Sequence, residues 1–175
     1  MNSHPSEPHP ESGLLHSYLL GAWLLDRSMW DRTSGTRGTF TGVVRFTELN
    51  LTELNRASTG DDGVLLFREA GTLHWTDSGG KPFTGPASRE YVLRPSDAPD
   101  AMEVFFPDGR PFHRMSFTAA DTEMHWCDPD TYRVQYNRVG QDEFRYTWDV
   151  TGPAKDLLLE SVLRRLAEQP LGSES

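Results

Sequence analysis

Residues 104–136 limit the fold more than any other part of the chain. They read VFFPDGRPFHRMSFTAADTEMHWCDPDTYRVQY, short apolar and aromatic runs broken by three turn signals. The first is Pro107-Asp108-Gly109-Arg110, where Asp and Gly tolerate the left-handed backbone of a tight hairpin. Ala119-Ala120-Asp121 and Asp128-Pro129-Asp130 are the others. Together they predict an antiparallel meander of four short strands. Alternate residues of a strand share a face. Glu123, His125 and Cys127 therefore line up opposite Met124 and Trp126. Tyr132, Val134 and Tyr136 share an apolar face and should point inward. For 123–127 alternation leaves the inward face open, because Met124 and Trp126 are the more apolar pair.

The rest of the chain continues the theme. Strand candidates occur at 22–31, 38–49, 64–75, 87–93, 102–106 and 144–150. The last carries Phe144, Tyr146, Trp148 and Val150 on one face and charged or polar residues on the other, the pattern of a half-buried strand. Residues 156–165 fit a helical stripe through Leu159, Val162, Leu163 and Leu166, or a strand that closes the sheet; the preceding Gly152-Pro153 turn favours the strand. Before the first strand, Ser12 is placed to cap a short helix over Leu14, Leu15, Tyr18 and Leu19, ended by Gly21. Residues 77–86 read as one long loop. Nine or ten strands without βαβ alternation predict an all-β chain: an antiparallel barrel of about eight to ten strands, or a sandwich. One domain over 12–168 is expected, with tails at 1–11, rich in Pro, Ser, Glu and His, and at 169–175.

Composition narrows the function. With 26 acidic and 17 basic residues the formal charge is −9, and Lys81 and Lys155 are the only lysines. That opposes nonspecific binding to nucleic acid or to an anionic membrane. A single cysteine excludes an intrachain disulfide, the start of the chain has no secretion signal, and no apolar run approaches the ~20 residues of a spanning helix. The expectation is a cytoplasmic protein with a small-molecule partner, no nucleic-acid or membrane partner, and a homodimer left open.

Gly21-Ala22-Trp23 resembles the Gly-x-Trp opening of calycins, the lipocalin-like barrels. There the Trp packs across the closed end of the barrel beneath an Arg of the last strand, a part for Arg164 or Arg165 here. A broader set of motifs is similar to a calycin-like family of unknown function found in bacteria and fungi. It comprises Phe67-x-Glu69-x-Gly71, Arg89-x-Tyr91, Phe106-x-Asp108-Gly109-Arg110-x-Phe112-His113, His125-x-Cys127-x-x-Asp130-x-Tyr132 and Trp148-x-Val150-x-Gly152-Pro153-x-Lys155-Asp156. The resemblance covers about residues 14–165 and implies a barrel whose final strand follows Gly-Pro. It implies no reaction, and the cofactor is left unknown.

The candidate chemistry is polar. Glu69 and Arg89, on separate strands among apolar neighbours, must pair if both face inward, since an unpaired buried charge is very costly. Arg89 could then fix a carboxylate or phosphate of a ligand, with Tyr91 and Tyr132 donating hydrogen bonds. Phe106, Tyr136 and Trp148 would form walls, and Arg110, His113, His125 and Cys127 would add polar contacts; the structural alternative is a Glu–Arg bridge on ordinary packing. His125-x-Cys127 also has the same-face spacing of a metal pair, with Glu123, Asp130 or His113 as further ligands, or of a nucleophile and its base. The leading expectation is small-molecule binding in a cup of ~300 Å³ or more. The alternatives are an isomerase, cyclase or lyase with His125 as catalytic acid or base, and haem or metal binding through His125, Cys127 or His113. P-loop, GxGxxG, GxSxG and HExxH signatures are absent.

Overall fold

The computed structural model describes residues 15–49, 63–118 and 122–167; of Thr122, Glu123 and Cys127 only the backbone is described. The expected Ser12 cap, the Ala119-Ala120-Asp121 turn and both tails lie outside these residues. A short helix, α1 (Leu15–Leu19), precedes ten strands. They are β1 (Gly21–Asp31), β2 (Arg37–Glu48), β3 (Leu65–Thr76), β4 (Pro82–Pro95) and β5 (Ala101–Phe105), then β6 (Pro111–Ser116), β7 (Thr122–Cys127), β8 (Asp130–Arg138), β9 (Glu143–Thr151) and β10 (Asp156–Arg165). All neighbouring pairs are antiparallel, in the order β6-β5-β4-β3-β2-β1-β10-β9-β8-β7. The sheet curls into a nearly closed barrel, with β6 and β7 meeting at a seam where they approach without a backbone ladder. Among the described residues no helix is long and apolar enough to cross a membrane.

Side-chain parity explains the curl. Trp23, Leu25 and Arg27 of β1 point inward while Leu24, Asp26 and Ser28 are exposed, and β9 buries Phe144, Tyr146, Trp148 and Val150. Burying one face of each strand while solvating the other removes the most apolar area from water. Residues 156–165 are a strand because β1 and β9 each leave a backbone edge to satisfy, and β10 pairs with both.

Two sequence expectations are corrected. The four-strand meander is two hairpins, β5–β6 and β7–β8, set at opposite ends of the sheet order, because β6 and β7 are the edges on which the barrel closes. The long loop at 77–86 is shorter: Phe83 and Thr84 already pair with Trp75 and His74. Asp77 makes this possible by accepting hydrogen bonds from the backbone N–H groups of Gly79 (2.9 Å) and Lys81 (2.8 Å), which tightens the turn.

The end of the barrel beneath α1 is sealed. Trp23 is fully buried and donates its indole N–H to the Leu19 carbonyl (2.7 Å), and Arg165 lies over its ring at 4.1 Å. Of the two expected arginines, Arg165 takes the place, and its Nη1 and Nη2 donate to the carbonyls of Leu20 (3.0 Å) and Tyr18 (2.8 Å) at the end of the helix.

Candidate functional site

Above the sealed end the interior changes character. Arg27 of β1 meets Glu69 of β3 in a bidentate pair, Nη1 to Oε1 and Nη2 to Oε2, both at 2.8 Å. The third side of the same guanidinium donates to Ser161 Oγ (2.9 Å), and Nη2 also reaches the Tyr146 hydroxyl (2.5 Å). The cross-strand partner of Glu69 is Arg89, whose Nη2 donates to Glu69 Oε2 (3.0 Å) and to the Tyr146 hydroxyl (3.3 Å). The expected Glu69–Arg89 pair therefore exists, inside a larger network.

Gly71 makes room for this network. A Cβ there would stand 2.8 Å from the Phe40 ring and 2.2 Å from the Thr41 carbonyl oxygen, and Phe40 is the ring on which Arg27 rests. The Phe67-x-Glu69-x-Gly71 motif thus places a wall, a charge and a gap on one face.

The two arginines are not equivalent. The side chains of Arg27 and Glu69 keep 5% and 4% of their surface, whereas Arg89 keeps 30%. Arg89 Nε lies 3.0 Å from Glu69 Oε1 but at an angle that makes no hydrogen bond. Burial pushes the Glu69 carboxyl up; hydrogen bonding from Arg27 and the charges of Arg89 and Arg27 outweigh it, so its pKa falls below the ordinary value.

His113 and Tyr136 form the opposite wall. His113 Nε2 is 2.8 Å from the Tyr136 hydroxyl, and its Nδ1 is buried without a partner. Burial, followed by the charges of His125 and Arg89, depresses its pKa to about 3, so the ring is neutral near pH 7. Burial also drives Tyr136 well above the usual phenol value. Between these walls lies a void lined by the polar Arg89, Tyr91, His113, Tyr136 and Tyr146 and by apolar residues that include Phe67, Leu93, Met115 and Phe144.

The void measures about 30 Å³, room for the centres of about two waters, so the expected open cup of ~300 Å³ is corrected. Aromatic side chains fill that space. Phe112 stacks on Trp148 (5.2 Å, 8°) and packs against Phe106 and Tyr91, plugging the end opposite α1.

The other expected residues are distributed as follows. His125 faces inward against Phe112 and Tyr132, and Met124 and Trp126 are 65% and 68% exposed, which settles the face that alternation left open. Among the described residues no hydrogen bond holds either ring nitrogen of His125. Tyr132 packs edge-on against Trp148. Arg110 stands at the exposed β5–β6 hairpin tip, bound to Asp108 (2.8 Å) and over the Phe106 ring at 5.1 Å. The Cys127 side chain lies outside the described residues. Asp130 accepts an ion pair from Lys155 (2.7 Å), and among the described residues no three His, Cys, Asp or Glu side chains converge on a metal position.

Sequence reading passes over Arg27 and Ser161 as site residues, and takes Tyr146 only as part of a buried face. Parity held the signal: Arg27 follows Trp23 and Leu25 at steps of two, and Ser161 precedes Leu163 in the same way.

A nearly closed antiparallel barrel with an ion-paired polar centre defines the class: a small all-β barrel with charged groups in its interior. The chain belongs to a family of unknown function, DUF6314, which it matches over residues 19–165. None of the curated proteins matches it. Among solved structures it is similar to the S-type phycobiliprotein lyase CPES from Guillardia theta, with a TM-score of 0.54 at 10% identity over 88% of this chain and 92% of that one. A redesigned barrel, mFAP1, bound to DFHBI, has a TM-score of 0.38 at 15% identity over 87% of this chain and 99% of that one. At such identity the lyase supports the barrel fold and nothing finer.

Proposed function

We propose that the barrel binds a small, partly apolar organic molecule at its centre, through the cluster of Arg27, Glu69, Arg89, Tyr91, His113, Tyr136 and Tyr146. One observation carries this reading: three fully charged groups stand in the interior, where stability alone favours apolar side chains. Replacing a buried ion network by well-packed apolar residues is often neutral or stabilising, so such a network is poor scaffolding and good recognition chemistry. The void beside it is a starting point rather than a finished pocket. A ligand enters as the Phe106–Phe112–Tyr91 plug shifts, and the displaced rings then stand along its apolar part.

Native mass spectrometry of gently purified protein tests this directly. The expected spectrum shows a population heavier than the bare chain by one small molecule, lost on mild activation. A bare chain from several expression hosts, together with no thermal shift across a library of small organic acids and alcohols, would overturn the reading.

A further inference from the structure

We propose that the ligand's polar end is a single monoanionic group, a carboxylate by size, seated against Arg89 and His113. This rests on the interior-binding reading above and deepens it.

Charge balance comes first. The described centre holds Arg27, Arg89 and Glu69, two cations and one anion, which leaves one positive charge uncompensated inside the barrel. An excess charge that keeps only part of its solvation is relieved by an anion of equal and opposite charge. Arg27 spends four of its five N–H groups on Glu69, Ser161 and Tyr146 and is the more buried, so the excess is assigned to Arg89, the more open of the two.

Hydrogen-bond balance gives the same answer independently. Tyr136 is protonated, and its hydroxyl hydrogen needs an acceptor. If Tyr136 donates to His113 Nε2, one group is left over, an Nδ1–H. If Nε2–H donates instead, both the Tyr136 hydrogen and the Nδ1 lone pair are stranded. The first arrangement strands fewer groups and is preferred. His113, whose ring lines the void, thus keeps a buried and unused Nδ1–H.

Tyr146 does likewise, for its oxygen already accepts from Arg27 and Arg89 while its own hydrogen has no acceptor among the described residues. The oxygens of Glu69, the sole carboxylate of the cluster, are engaged by the two arginines. The void therefore presents one cation and no free carboxylate, and its remaining acceptors are neutral phenol oxygens. A dianion would overshoot the single excess charge, and a void of about 30 Å³ admits a head group of a few atoms. The rest of the lining, Phe67, Leu93, Met115 and Phe144 among it, offers no second charged partner, so the remainder of the ligand is hydrocarbon.

The test is calorimetric titration of the full chain with straight-chain monocarboxylates from acetate to octanoate. Each is compared with the alcohol of equal length and with inorganic phosphate at constant ionic strength. Charge-assisted hydrogen bonds predict that an acid binds about ten- to a hundredfold tighter than its alcohol. Arg89→Met should erase that preference, and Arg68→Gln, on the exposed outer face beside Glu90, should keep it. The comparison of acid with alcohol on the unaltered chain needs no variant to fold. Equal binding of acid and alcohol would sink the anion while leaving interior binding intact. So would a preference for phosphate, or an acid preference that survives Arg89→Met. Failure of acids and alcohols alike would sink both readings.

Discussion

The two halves of the barrel use arginine in opposite ways. At the sealed end Arg165 covers Trp23, donates to the carbonyls of Leu20 and Tyr18, and pairs with the exposed Asp142, so its charge stays near water and its hydrogen bonds close a helix end. At the centre buried Arg27 and the partly open Arg89 share one buried carboxylate, and the charges do not balance. The sealed end spends its polar groups on holding the fold together. The centre gathers two cations on one carboxylate, more charge than pairing requires.

Two substitutions separate these roles most sharply. Trp23→Ala removes a fully buried ring and its contacts with Tyr18 and Phe144, and should cost about 3–5 kcal/mol in denaturant unfolding. Glu69→Gln should cost about the same, ~3–5 kcal/mol, for the opposite reason: two guanidiniums lose their shared counter-charge. High salt should recover part of the second loss and little of the first, since only the second is electrostatic. Equal salt responses would break the contrast.

Acid gives the next effect. His113 titrates at about 3 in the fold against an ordinary value of 6.5. Below that ordinary value the unfolded chain takes up a proton that the folded chain refuses, so stability is complete above it and is lost as pH falls toward the folded value. Between about pH 8 and about pH 5 the loss should be ~1–2 kcal/mol. His113→Gln, which cannot titrate and can still meet Tyr136, should flatten this part of the profile. Glu69 acts lower: its folded pKa lies below the ordinary 4.5, so its stabilisation is present above 4.5 and disappears as pH falls through the folded value. A His113→Gln profile that follows the unaltered chain would place the acid sensitivity elsewhere.

These contrasts also mark what the chain's own order reveals. Trp23 was legible from the Gly-x-Trp opening and its arginine to within one residue, Arg164 or Arg165, and period-two alternation placed Tyr132, Val134, Tyr136 and the β9 face correctly. The Glu69–Arg89 contact was legible because burial leaves a lone charge no alternative. Arg27 was not: its neighbours Asp26 and Ser28 make the segment look like a polar patch, although its parity with Trp23 and Leu25 sends it inward. The volume of the interior was not legible either. Whether rings wall a hollow or fill it depends on rotamers, and Phe112 lying flat on Trp148 decides for filling. The seam escaped for a topological reason, because sequence neighbours β6 and β7 look like a hairpin until the barrel's closure sets them at its two edges.

A milder test returns to the sealed end. Arg165→Met keeps an apolar cover over Trp23 but gives up the donors to the Leu20 and Tyr18 carbonyls. Those carbonyls are partly buried and regain some water, so the expected loss is about 1 kcal/mol. A loss as large as that of Trp23→Ala would mean that the helix end, rather than the ring beneath it, holds the barrel shut.

The smallest effect on stability is the most informative. Arg89→Met leaves Glu69 with the two hydrogen bonds of Arg27 and converts the centre from one excess positive charge to neutrality. The lost hydrogen bonds and the relieved charge oppose each other, so the change should lie within about 1 kcal/mol of zero, and on the stabilising side if relief of charge wins. Met also fills much of the volume the guanidinium leaves, so little is lost in packing. Thermal unfolding of the variant beside Glu69→Gln reads the asymmetry directly: removing the anion of the triad harms the fold, and removing one cation does not. A cost for Arg89→Met approaching that of Glu69→Gln would make Arg89 part of the scaffold. The centre would then resemble the sealed end after all, with its arginines serving only the fold.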